Sequence, residues 1–276
     1  MLIKNQPVLE ARMKESFRNM NAAEILSEQR KNLTLIGALP HDLEPTNESA
    51  GYRLQERVNR ILEGSLGPVV GHKIGCTTSV MQRFLGIPTP CAGEIFARTV
   101  LKGHGRVPRQ GFRKIGIECE IVVSISKTIT PDTYSEAACS SLNVIDSMMV
   151  GMEIVDDRYK NYASLGIPTL IADNFFDSGC VLGEAVCDWQ KLDLNNLLGT
   201  TRVNGVVLGT GKGSLIMGSP LKALDWFIKS RVSRGLSLKK DQFVMLGSVV
   251  ETKWLEAGDM AEVEIDSLGS VTLGVE

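Results

Sequence analysis

The chain reads as an α+β protein: a helical amino-terminal part, residues 1–65, packed on a larger β-rich body, residues 66–276. Three observations predict it. The first 65 residues are dense in good helix formers, as in "PVLEARMKESFRNM" and "AAEILSEQRKNL". Beyond them, short β-type runs broken by Gly, Pro and Asp take over. Short turns join many of those runs, which favours a mixed, mostly antiparallel sheet system.

Each element has its own local reason. "TNESAGYRLQERVNRILEG" opens on capping residues, places Tyr52, Leu54, Val58, Ile61 and Leu62 at helical spacing, and closes on Gly64. The preceding "GALPHDLEPTNES" carries Pro and Asn and reads as a connector. "GPVVGHKIG" predicts a strand and "TTSVMQRFLG" a helix after it. Further strands are expected at "IECEIVVSI", "VVGMEIV", "SGCVLGEAV", "QFVMLGSVVETKW", "DMAEVEID" and "GSVTLGV". "TTRVNGVVLGTG" holds Asn204-Gly205 between apolar runs, the signal of a type I′ hairpin. "EVEIDSLGSVTLGV" predicts a second hairpin. Helices are expected at "TYSEAACSSLNVIDSMMV" and "SPLKALDWFIKSRVSRG".

Composition narrows the function. Of 276 residues, 43% are hydrophobic and 22% charged, the balance of a globular protein with a substantial core. Lys plus Arg total 30 against 32 Asp plus Glu, with no basic stripe, so nucleic acid has little electrostatic support as a partner. Six cysteines without a CxxC pair fit reduced thiols in a cytoplasmic protein. The amino terminus is too charged for a signal peptide, and no long uncharged apolar run predicts a membrane span.

The chemistry gathers around carboxylates. In "RKIGIECEIVVSI" the residues Ile115, Ile117, Cys119, Ile121, Val123 and Ile125 share one strand face. Glu118 and Glu120 share the other with Val122, their Cα atoms roughly 6.5–7 Å apart. An antiparallel sheet with one wet face accommodates such a pair without further purpose. Glu153, interrupting the apolar run of "DSMMVGMEIVDDRY", shifts the balance. Three buried carboxylates are prohibitive unless protons or a cation compensate. Oxygen-only coordination suits Mg²⁺, with Mn²⁺ or Ca²⁺ as alternatives. Lys73, flanked by Val69, Val70 and Ile74, is either a pocket cation or a strand-end lysine reaching solvent. Asp156 and Asp157 support the site from behind or form a turn or ion pair with Arg158; Asp173 and Asn174 are turn formers or site residues. His41, His72 and His104 lack zinc-site spacing, and "GTGKGS" lacks P-loop spacing.

An ordered set of motifs then carries a resemblance. "GHKIGCTTSVMQRFLGIPTPCAGEIF", "IECEIVV", "GMEIVDDRY", "LIADN", "GSPLKALDWF" and "FVMLGSVVETKWLEAGDMAEVEIDSLGSV" resemble the 2-hydroxypenta-2,4-dienoate hydratase (2-keto-4-pentenoate hydratase) and 4-oxalocrotonate decarboxylase branch of the fumarylacetoacetate hydrolase superfamily. The resemblance implies a β-roll or sandwich preceded by helices. It implies a divalent metal on Glu118, Glu120 and Glu153, a catalytic Lys73, and substrate contacts at Asn174 and around Leu246, Gly247 and Ser248. It implies a small 2-oxo acid substrate whose carboxylate and neighbouring oxygen chelate the metal, with water addition or loss of CO₂ as the reaction, in a homo-oligomer.

The match has departures. Cys91 stands where the hydratases have an aspartate, and a thiol does not reproduce a carboxylate's charge unless strongly acidified. Glu94 is the nearby acid that would replace it. Phe176 stands for a serine, and Ser219 for a histidine, implying a bulkier, more apolar pocket and a different substrate. Three alternatives to the hydratase stay open: a decarboxylase, an acylpyruvate-type C–C hydrolase needing a His–Glu pair, and an inactive homologue that binds metal or a small acid.

Overall fold

The structure, a computed structural model, describes residues 21–78, 81–83 and 86–276. Residues 21–31 are helical, and helix α1 follows at Glu48–Leu66. Asn47 caps α1, its side chain accepting the Ala50 N–H at 2.9 Å. The helix passes through Gly64, the expected stop, and ends one turn later on Gly67, at φ 80°. A left-handed residue is what a helix end needs, and glycine adopts it without a Cβ clash. The buried stripe of α1 contains Tyr52, Leu54, Val58 and Leu62 as expected, together with two polar residues, Gln55 and Asn59. Gly51 lets α1 approach a short helix, α2 (Ile167–Ala172), so closely that a Cβ there would meet the Pro168 carbonyl at 2.5 Å.

Twelve strands among the described residues form two sheets. They are β1 (Val69–Gly75), β2 (Cys91–Phe96), β3 (Val100–Lys102), β4 (His104–Val107), β5 (Ile115–Ile125), β6 (Ile145–Asp156), β7 (Asp177–Leu182), β8 (Leu198–Val203), β9 (Val206–Lys212), β10 (Phe243–Trp254), β11 (Met260–Ile265) and β12 (Gly269–Val275). The larger sheet runs β2-β1-β10-β5-β6-β7-β3, the smaller β4-β12-β11-β8-β9. Pairings are antiparallel except β1 with β10, β3 with β7 and β4 with β12. This is the mixed, mostly antiparallel system expected. Asn204 (φ 52°) and Gly205 (φ 79°) turn the β8–β9 hairpin, and β11–β12 is the second hairpin.

The sheets pack through β5 and β6 against β11 and β12. Ile115, Ile117, Cys119, Ile121, Val123 and Ile125 are all fully buried. Each such isoleucine or valine contributes roughly 1.5–3 kcal/mol, so this face holds β5 in place. Helix α3 (Pro220–Ser233), the expected "SPLKALDWF" helix, lies against β10.

Two expectations need correction. Residues 133–150 do not form one helix: only Ser141–Val144 is helical, and Ile145 already begins β6. The helix-forming Met148 and Met149 are claimed instead by pairing with β5, which outweighs local propensity. Strands β2, β3 and β4 were not expected; they are short and include Gly, His and Arg. The helix expected at "TTSVMQRFLG" lies only partly within the described residues, of which 81–83 are helical. Among the described residues no helix is long and apolar enough to cross a membrane.

Candidate active site

Strand pairing answers whether the carboxylates face water. Glu118 on β5 stands directly across from Glu153 on β6, and Glu120 lies one pleat further along the same face of β5. Glu120 and Glu153 are fully buried, and Glu118 is half-buried. One oxygen from each lies within 4.8 Å of those of the others. The face is therefore dry at two of its three carboxylates.

Their surroundings leave oxygens unmatched. The Gly247 N–H donates to Glu120 Oε2 at 2.9 Å, while Glu120 Oε1 is buried without a hydrogen-bond partner. Glu153 Oε1 has the Lys73 ammonium 2.9 Å away as an ion pair, yet neither Glu153 oxygen has an aligned hydrogen bond. The Thr252 hydroxyl donates to Glu118. Burial pushes Glu120 well above the usual carboxylate range, with Glu153 and Glu118 adding to the effect. Burial also pushes Glu153 up to about 7, Lys73 pulling down and Glu118 pushing up. Orphaned hard oxygens, converging and short of positive charge, fit a divalent cation.

Lys73 enters from β1 as the buried cation rather than a solvent-seeking lysine. It donates to the Phe175 carbonyl at 2.8 Å, and the Phe175 ring centroid lies 5.5 Å from its Nζ. Burial disfavours its charge, but Glu153, Glu118 and Glu120 together raise its pKa above the ordinary lysine value.

Gly247 sits in the irregular middle of β10, at φ 117°, where any Cβ would collide with the Thr77 side chain. Only glycine lets that amide reach Glu120. The Ser248 hydroxyl turns to the backbone carbonyls of Cys119 and Val250. The Asn174 amide turns away from the triad, pairing with Asn59 and accepting the Glu94 N–H.

Other acidic candidates serve the frame. Asp156 accepts the Lys114 N–H at 2.7 Å. Arg158 pairs not with Asp156 or Asp157 but with Asp173, at 2.7 Å and out of solvent. Glu94 does not stand in for the absent aspartate. Cross-strand alternation puts it beside His72, on the β1–β2 face opposite Lys73, where Arg231 holds it at 3.0 Å. Cys91 is buried, and burial pushes its thiol far above its ordinary value, so it carries no charge at neutral pH. Sequence reasoning missed the Phe175 carbonyl, Thr252 and Asn59. Only Asn59, a polar residue inside an apolar helical stripe, carried a signal.

Three converging glutamates and a lysine on a strand-rich roll define a candidate metal-assisted enzyme site. The family model of the fumarylacetoacetate (FAA) hydrolase C-terminal domain matches residues 90–276, and the chain belongs to that family. A curated relative, the 2-keto-4-pentenoate hydratase of Burkholderia vietnamiensis, is 27% identical over 220 residues, 80% of this chain and 83% of the relative. The 4-oxalocrotonate decarboxylase of Pseudomonas putida is 24% identical over 262 residues, 92% of this chain and 98% of the relative. The solved 4-oxalocrotonate decarboxylase from Pseudomonas putida G7, complexed with magnesium and adipate, shares the fold with a TM-score of 0.85 at 22% identity, over 95% of this chain and 98% of that one.

Proposed function

We propose that the protein is a divalent-metal-dependent lyase of 2-oxo and 2-hydroxy-dienoic acids, with hydration of 2-keto-4-pentenoate type as its leading reaction. The observation that carries this is the triad of converging carboxylates with orphaned buried oxygens, faced by a buried lysine. Relatives named as hydratases support the reaction class. Glu118, Glu120 and Glu153 would hold Mg²⁺, with Mn²⁺ or Ca²⁺ as substitutes. Such an ion supplies positive charge to a substrate carboxylate and its neighbouring 2-oxo oxygen.

The chain's own groups do the rest. Lys73, kept as an ammonium by three carboxylates, has one N–H directed to Phe175 and one side facing Glu153. Its remaining N–H is available to the substrate anion, where it stabilises developing negative charge. Gly247 fixes Glu120 through its backbone amide. The Phe175 ring walls the lysine and limits water around it. Asn174 is proposed to act near the substrate through its backbone, because its side chain is engaged with α1; Ser248 contributes main chain rather than its hydroxyl.

The neutral Cys91 thiol favours decarboxylation as the second reading, since hydration needs a proton carrier where the hydratases have an aspartate. A His–Glu hydrolase has less support. His72 is buried on the face away from Lys73, and His41 and His104 are exposed. The test is incubation of the Mg²⁺-loaded protein with 2-hydroxypentadienoate, oxaloacetate and an acylpyruvate. Water addition supports the hydratase; CO₂ release or cleavage to two acids assigns the alternatives, and silence with all three overturns the lyase reading. We also propose a cytoplasmic homo-oligomer, in keeping with six unpaired thiols and the resemblance, to be sized by light scattering.

A further inference from the structure

Three successive non-glycine residues, Asn174, Phe175 and Phe176, have φ of 57°, 49° and 68°. Left-handed backbone crowds each Cβ against the following carbonyl, and residues other than glycine adopt it singly. A run of three persists only where its surroundings hold it. One clamp is Arg158, whose Nε donates to Asp173 Oδ2 (2.7 Å), Nη2 to the Asp173 carbonyl (2.8 Å) and Nη1 to the Asp177 carbonyl (3.0 Å).

The other clamp comes from α1. Asn174 Nδ2 donates to Asn59 Oδ1 at 2.6 Å, and Asn59 Nδ2 donates back to Asn174 Oδ1 at 3.2 Å. Asn59 Nδ2 also reaches Glu94 Oε2 at 3.0 Å, and Arg231 fixes Glu94 from behind. Asparagine is a poor helix former, and this one lies in the buried stripe of α1 among Tyr52, Leu54, Gln55, Val58 and Leu62. Helix stability gives no reason for it. The turn it grips gives Lys73 a hydrogen-bond acceptor: the Phe175 carbonyl oxygen, 2.8 Å from Lys73 Nζ.

We infer that Asn59 is a positioning residue for Lys73. It locks the left-handed turn through Asn174, fixing the carbonyl that seats the ammonium beside Glu153. The inference rests on the proposed role of Lys73 at the substrate. A merely structural Asn59 would tie α1 to the sheet and affect every function of the fold alike; a positioning Asn59 acts only through Lys73.

A double-mutant cycle separates the two. In Mg²⁺-saturated protein, Asn59→Ala is expected to lower kcat about 10- to 100-fold, with KM and Mg²⁺ affinity nearly unchanged. In a Lys73→Met background the same substitution should change kcat by less than about two-fold. An equal factor in both backgrounds overturns the inference. If Asn59→Ala does not fold, Asn174→Gly takes its place, because glycine adopts the φ without the amide. A readout independent of turnover is the ¹⁵N resonance of the Lys73 ammonium in metal-free protein, identified by its absence in Lys73→Met. Should the wild type show no lyase activity while Asn59→Ala shifts that resonance, the reaction assignment fails and the positioning role stands. An unmoved resonance in the folded variant removes the positioning role whatever the activity.

Discussion

Replacing Glu120 by glutamine should make the metal-free protein more stable and the magnesium-bound protein less so. Glu120 is fully buried, and one of its oxygens lies within 4.8 Å of oxygens of Glu118 and Glu153. Two unit charges at that separation repel by roughly 3–4 kcal/mol at an effective dielectric constant of about 20, a cost borne in full where the pH exceeds the raised pKa of Glu120. The amide keeps an oxygen for the Gly247 N–H and turns a donor toward the remaining carboxylates. For a chain of 276 residues the gain corresponds to a rise in Tm of about 6 °C. The pH sign is also set. A carboxyl raised in the fold takes up a proton on folding, so the metal-free wild type loses stability as pH rises from about 5 toward its folded pKa, by up to about 1.4 kcal/mol per unit. The variant should lose less. With Mg²⁺ at a hundred times its Kd the wild type gains about 2.7 kcal/mol, whereas the variant, one charged ligand short, should gain little at that concentration. Thermal melts in EDTA and in Mg²⁺ read both effects. A metal-free variant melting at or below the wild type, with the same magnesium shift in each, would refute the reasoning.

Glu118→Gln or Glu153→Gln should sharply weaken metal binding, read by calorimetric titration; unchanged isotherms in both would remove the ligand assignment. Lys73→Met should leave Mg²⁺ bound and lower kcat about 10²–10³-fold, and full turnover would take Lys73 out of the mechanism. Burial, helped by Arg231, holds His72 neutral well below its ordinary value. The unfolded chain therefore gains a proton that the fold refuses, and stability falls as pH drops below about 6.5, by up to about 1.4 kcal/mol per unit. His72→Gln should flatten that slope in urea denaturation between about pH 5 and 7; an equal slope would exclude His72 as its source. Arg158→Met should cost about 3–5 kcal/mol by leaving Asp173 buried and unpaired. Adding Asp173→Asn should recover part of it in the same denaturation assay, and no recovery would argue against the pair.

The alternation in β5 was readable because each apolar residue on one face stands next to a residue of the opposite face, and the acid face therefore announced itself. Glu153 was readable as a third carboxylate, but its position opposite Glu118 depends on a register between segments some thirty residues apart, which spacing alone does not fix. Lys73 left two readings open until the Phe175 carbonyl appeared beside it. That carbonyl belongs to the backbone, and no side-chain pattern marks it. Asn174 was readable as a turn former or a site residue, but its side-chain direction follows from its pairing with α1, more than one hundred residues earlier. The segment 145–150 misled because Met148 and Met149 suit a helix, whereas their neighbours on the sheet decide otherwise. Arg158 next to two aspartates suggested a local ion pair, but Asp173 is the partner that tertiary packing brings to it.

The facing of Glu118 and Glu153 across β5 and β6 makes the chemistry a proofreader of strand alignment. A slip of β6 by a single residue would swing Glu153 into the layer occupied by Ile117 and Cys119, and expel Met152 and Ile154 in exchange. Misaligned chains thus forfeit ion and interior together. The amount of divalent ion bound in a refolding mixture should accordingly count correctly zipped molecules, without recourse to any catalytic assay.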